Sequence, residues 1–133
     1  MFNIKSLKKI FHQAIKFSIV GVFGVFINYC IFLLALVIFE IHYLISGLLG
    51  YLFATVPIFF LNRYWTFKSN VSISKGFPIY IVINIITLSS HSLIQYISKE
   101  YFGVPEVYSQ ACGIFVSVII SFILVRNLMK SGI

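Results

Sequence analysis

The sequence predicts an all-α membrane protein of four transmembrane helices, arranged as two parallel-oriented two-helix repeats with cytoplasmic N- and C-termini. Three observations predict it. Residues 17–39, 41–62, 77–98 and 107–125 carry no charged side chain. Each run is close to the ~20 residues that cross ~30 Å of hydrocarbon at ~1.5 Å per residue. The chain also matches itself at an offset of 63 residues: Phe39 pairs with Phe102, Ser46 with Ser109, Gly50 with Gly113, Phe59 with Phe122, Leu61 with Leu124 and Arg63 with Arg126. Finally, nearly all the lysines and arginines fall at one end of the four runs.

The composition supports a chain dissolved in lipid. Hydrophobic residues make up 60% of the 133 and charged residues 10%, where a soluble domain has roughly a quarter charged. Backbone in hydrocarbon must bond to itself, so the four runs have to be helices. The first is too long for a signal-peptide core and has no small-residue cleavage signature, so it is expected to be retained.

Residues 1–16 precede the first span. Leu7, Ile10, Phe11, Ala14 and Ile15 recur at helical spacing among Lys5, Lys8, Lys9 and Lys16. This suits either an amphipathic helix on the inner leaflet or a frayed tail. Repeat one covers residues 17–67 and repeat two residues 77–128, within a single membrane domain, 1–133. The outer connections are very short, and the inner loop, about residues 63–76, is too short to fold alone.

Orientation follows from the positive charges. Lys5, Lys8, Lys9 and Lys16 precede helix 1; Arg63, Lys68 and Lys75 separate helices 2 and 3; Arg126 and Lys130 follow helix 4. Lys99 falls on the other side with the three acids, Glu40, Glu100 and Glu106. The net charge of +7 is therefore a topology signal, and its dispersal at membrane edges argues against nucleic acid as a partner. Both copies begin on the same side, so their pseudo-symmetry axis is expected along the membrane normal.

Small residues mark helix contacts. Ser46, Gly50 and Ala54 recur every four residues on helix 2, and Ser109, Gly113, Ser117 and Ser121 on helix 4. Such rows let backbones approach closely, so helices 2 and 4 are expected to pack on each other or across a dimer. Pro57 is expected to kink or loosen helix 2. Cys30 and Cys112 lie inside spans without a metal-spaced ligand or a disulfide pattern, and are read as packing residues.

Polar residues in the spans are the candidates for function. Asn84, Thr87, His91 and Gln95 share one face of helix 3, and Asn28, which the 63-residue offset pairs with His91, lies near the middle of helix 1. Unpaired polar groups cost several kcal/mol in hydrocarbon, so these residues either bond between helices or line a hydrophilic groove. A second group sits at the inner edge: Lys16, Asn62, Arg63, Trp65 and Arg126. The forked guanidinium suits phosphate oxygens, and Trp65 either covers a sugar ring or sits in the interfacial aromatic belt.

No Asp or Glu falls within a span, which removes the usual proton-coupling carboxylate of a small antiporter. No phosphate-binding loop, dinucleotide loop or nucleophile elbow is present. The pattern argues against an enzyme, and it asks for no cofactor or metal.

The run Lys16-Phe17-Ser18-Ile19-Val20-Gly21, then Asn28, then Phe59-Phe60-Leu61-Asn62-Arg63-Tyr64-Trp65-Thr66-Phe67 resembles the GtrA-like family. Pro105, Gln110 and Phe122-Ile123-Leu124-Val125-Arg126 extend the resemblance into the second copy. It covers roughly residues 13–128. It implies a small four-span protein of the bacterial cytoplasmic (inner) membrane, acting in cell-surface polysaccharide synthesis. Such proteins move, or help to move, a polyprenyl-phosphate-linked monosaccharide across the membrane. The implied partners are that lipid-linked sugar, membrane lipid, membrane glycosyltransferases and a second copy as a homodimer. A non-transporting partner of a polyprenyl-phosphate glycosyltransferase is the alternative. Three departures stand out: Ile58 and Val125 each replace a polar residue of the pattern, and no Trp-x-Phe follows Arg126. The first copy is therefore expected to be the better equipped.

Overall fold

The structure, a computed structural model, describes residues 3–133. The described chain is helical throughout, and four of its helices are long and apolar enough to cross a membrane. Helix α1 (Ile4–Leu33) runs into a π-helical turn, Leu34–Ile38. Helix α2 (Tyr43–Leu61) ends in a second π-helical turn, Asn62–Thr66. Helices α3 (Ile73–Glu100) and α4 (Glu106–Lys130) follow.

The chain divides into two compact units, Met1–Ser69 and Asn70–Ile133. Each is an antiparallel helical hairpin, α1 with α2 and α3 with α4. The division falls inside the connection expected between the repeats.

Helix α1 starts where Asn3 Oδ1 accepts a hydrogen bond from Ser6 N at 2.8 Å, an N-cap that satisfies one of the first free amides. From there it continues without a break. The residues expected as a separate interfacial helix or a frayed tail, from Ile4 to Lys16, are the first turns of the spanning helix; Met1 and Phe2 lie outside the described residues. With its π turn the segment has 35 residues, on the order of 50 Å long. That exceeds the hydrocarbon thickness, so the lysine-bearing turns project past it.

The two hairpin bends repeat at the 63-residue offset, each within its own unit. Ile41 N donates to Ala35 O at 3.0 Å, and Val104 N donates to Ser98 O at 3.0 Å. Ser46 N bonds His42 O and Ser109 N bonds Pro105 O, both at 2.9 Å. Each bend needs one left-handed residue: Glu40 (φ 52°) in the first and Gly103 (φ 64°) in the second. Glycine takes this conformation without strain; glutamate pays a cost of about 1 kcal/mol.

Each hairpin closes on its row of small residues. Ser46, Gly50 and Ala54 are buried on α2, and Ser109, Gly113 and Ser117 on α4. At their glycines these rows meet the preceding helix of the same unit. A Cβ on Gly50 would lie 2.6 Å from both Asn28 O and Asn28 Oδ1; one on Gly113 would lie 2.8 Å from His91 O. Most large apolar side chains of α1 face outward, among them Val22, Phe23, Val25 and Phe26, as a lipid-bathed surface requires.

Cys30 and Cys112 are both free and exposed. Neither therefore packs within its own hairpin, contrary to the expectation. In helices apolar on every side, sequence alone does not mark which face turns inward. Pro57 lies inside α2 and Pro78 inside α3, each removing one backbone donor.

Candidate functional site

The best-furnished polar cluster is built at the end of the first hairpin, where the early turns of α1 meet the C-terminus of α2. The α2 helix widens there. Phe67 N reaches back five residues to Asn62 O at 2.9 Å, and Ser69 N reaches Arg63 O at 2.7 Å. Lys68 then leaves the helix with φ 46°. π-Helical turns of this kind occur frequently at functional sites. Here the turn is the Asn-Arg-x-Trp segment itself.

Asn62 lies at the centre, 1% exposed. Its Oδ1 accepts a hydrogen bond from Thr66 Oγ1 at 3.0 Å. Its Nδ2 is buried and has no hydrogen-bond partner among the described residues. An unsatisfied buried donor costs about 1–3 kcal/mol.

Around it the cluster is aromatic and cationic. Lys16 Nζ, from α1, stands 5.1 Å from the centroid of the Trp65 ring. Phe17, one residue beyond Lys16, and Phe67, two beyond Trp65, meet at 6.3 Å. The Arg63 guanidinium lies 4.7 Å from the Tyr64 ring, and Tyr64 stacks on Phe60 at 6.1 Å. Arg63 also occupies the last turn, where positive charge complements the negative end of the helix dipole. The structure thus brings Lys16, Asn62, Arg63 and Trp65 to one end of one hairpin.

Arg126 belongs to the second unit, half-buried on α4. Its surroundings differ in kind. At the positions matching Asn62, Trp65 and Thr66 stand Val125, Leu128 and Met129, exposed by only 0%, 5% and 4%. The second hairpin keeps the arginine and replaces the polar side chains with packed apolar ones.

The intramembrane polar residues fall into both units. In the first, Asn28 is half-buried against Gly50. In the second, Asn84, Thr87, His91 and Gln95 are all half-buried along one face of α3, and the His91 ring approaches Gly113, with Cδ2 2.9 Å from where a Cβ would stand. The absent side chain at each glycine leaves room for the larger polar group, so Asn28 and His91 occupy equivalent seams. Thr87 Oγ1 donates to Ile83 O of its own helix at 2.9 Å, which satisfies the hydroxyl locally.

Three buried polar residues were not singled out from the sequence: Thr66 and Thr55, each 4% exposed, and Gln13, 7% exposed. Two of them had a signal. Thr66 is four residues beyond Asn62, on the same helical face. Gln13 precedes Val20 by seven residues and Gly24 by eleven, in register with the buried stripe of α1. Among the described residues no group of three or more His, Cys, Asp or Glu side chains is gathered.

The profile of the family described as GtrA/DPMS, transmembrane domain, matches residues 16–129. No curated protein and no solved structure gives a significant match. The matched residues begin at Lys16 and run past Arg126, so they contain both hairpins and the whole cluster around Asn62. The chain therefore belongs to the GtrA/DPMS transmembrane-domain family, which is associated with membrane proteins that handle lipid-linked sugars.

Proposed function

We propose that this protein translocates a polyprenyl-phosphate-linked monosaccharide across the cytoplasmic membrane of a bacterium, supplying an enzyme outside that glycosylates a surface polysaccharide. The observation that carries this reading is the cluster of Lys16, Asn62, Arg63 and Trp65 at one end of a membrane hairpin. The substrate is a polar, anionic head on a tail that never leaves lipid. Carrying the head bare through hydrocarbon is prohibitive. Cationic and amide donors at the inner edge gather the phosphate. Asn28 of the first hairpin offers sugar hydroxyls an amide in place of water, and Asn84, Thr87, His91 and Gln95 of the second offer hydrogen bonds of the same kind within their own unit. The sequence has no nucleotide-binding loop, so transport runs downhill as the outer enzyme consumes the sugar. The protein performs no chemistry itself. Four helices hardly enclose a complete path, so the working form is a homodimer or a surface open to lipid.

The distribution of lysines and arginines supports a reading in which both termini are cytoplasmic. A reporter that matures only in that compartment should be active when fused to either end, and inactivity at both ends would reverse the orientation.

Reconstitution tests the transport reading. Purified protein in liposomes, given a labelled lipid-linked sugar in one leaflet and no partner enzyme, should equilibrate the label between leaflets. Protein that leaves the label where it was added, yet co-purifies with a polyprenyl-phosphate glycosyltransferase from cells, would instead be a scaffold for that enzyme.

A further inference from the structure

We propose that the first hairpin alone carries a lipid-phosphate site, in which Asn62 Nδ2 donates to a phosphate oxygen and Lys16 moves from the Trp65 ring onto the same phosphate. The proposal rests on the headgroup reading above and narrows it to one hairpin and one buried donor. Asn62 is 1% exposed, its carbonyl oxygen is engaged by Thr66, and its amide nitrogen has no acceptor among the described residues. Native proteins rarely leave a buried donor unmatched unless it has a task. The acceptor it lacks is an oxygen, and the charge nearby selects an anionic one. Lys16 is within reach of the turn, and no Asp or Glu occurs in residues 1–39 or 41–99.

Lys16 has a weak partner to give up. A half-exposed ammonium over an aromatic face is held less firmly than one hydrogen-bonded to a phosphate oxygen. Trp65 is 40% exposed, so the Lys16–Trp65 pair is reached from outside the hairpin. An arriving phosphate attracts the ammonium off the ring and meets the Asn62 amide of the same π-helical turn.

The second hairpin supplies the comparison. At the 63-residue offset Lys16 becomes Ile79, Asn62 becomes Val125, Trp65 becomes Leu128 and Thr66 becomes Met129. All four polar or aromatic members are replaced together by aliphatic or thioether side chains, and three of the replacements are buried. A hairpin end of this type therefore closes, in the second unit, around apolar side chains in place of the set.

Trp65 is the one tryptophan of the chain, and its fluorescence reports the site directly. The full-length protein in phosphatidylcholine nanodiscs is titrated with polyprenyl phosphate, with the phosphate-free polyprenol, and with phosphatidylglycerol. Polyprenyl phosphate should give a saturable change in Trp65 emission, and polyprenol none. The midpoint should rise about tenfold or more in Asn62→Val, the loss of one charge-assisted hydrogen bond, and likewise in Lys16→Ile. Both variants copy the second hairpin. If Asn62→Val does not fold, the half-buried Lys16→Ile decides alone. Unchanged midpoints in the folded variants, or an equal response to polyprenol, would overturn the proposal. An equal response to phosphatidylglycerol would uphold the phosphate site while counting against a dedicated lipid-linked sugar. Leaflet equilibration with no Trp65 response would uphold transport and remove this site.

Discussion

Arg63→Ala and Asn28→Leu should each abolish surface glycosylation while the protein stays at its normal level in the membrane. Arg63 supplies a planar fork of donors at the last turn of α2, beside the Tyr64 ring at 4.7 Å. An alanine there removes both the charge and the bidentate geometry that suits phosphate. Asn28 lies half-buried against Gly50 in the middle of the hairpin. Leucine is of similar size but offers no hydrogen bond to a passing hydroxyl. The two variants act at different depths, so loss in both marks a path rather than a single contact. Surface polymer is measured by its glycan composition, and membrane level by immunoblot. Full transfer by both variants would make the site assignment wrong.

Gly50→Ala should loosen the first hairpin, and Gly113→Ala the second. The added Cβ on Gly50 would stand 2.6 Å from the backbone oxygen of Asn28, and that on Gly113 2.8 Å from the backbone oxygen of His91. Neither neighbour can rotate away, so the helices must separate. Overpacking of this kind costs about 1–3 kcal/mol, and in lipid close packing is a main source of helix association. Gly21→Ala and Gly47→Ala meet nothing within 4 Å and should leave the protein unchanged. Gly24→Ala should fall between, because its Cβ would meet the side chain of Ile58, which can turn. Thermal unfolding in detergent ranks the five. Equal stability of Gly50→Ala and Gly47→Ala would show that the seam is not closed as described.

The helices and the matched positions were legible because charge-free runs of membrane length have few alternatives, and because Asn28 and His91, like Gly50 and Gly113, keep their spacing. Three features were not legible. The π-helical turn at Asn62–Thr66 is a main-chain pattern of i to i−5 bonds, which no side-chain type specifies. The unpaired Asn62 amide depends on what packs around it, although its spacing to Thr66 placed both on one face. The outward placement of Cys30 and Cys112 was hidden by spans that are apolar all round. The small-residue rows were recognised, but the glycines in them meet the preceding helix of their own hairpin, Gly50 at Asn28 and Gly113 at His91.

The account turns on the polar set of the first hairpin being the part that handles the lipid headgroup. The direct measurement is leaflet equilibration of a labelled polyprenyl-phosphate-linked sugar by the purified wild-type chain and by one chain carrying Lys16→Ile, Asn62→Val, Trp65→Leu and Thr66→Met. The wild type should equilibrate the label, and the fourfold variant, recovered folded in the membrane, should not. Equilibration by the folded variant at the wild-type rate would contradict the account.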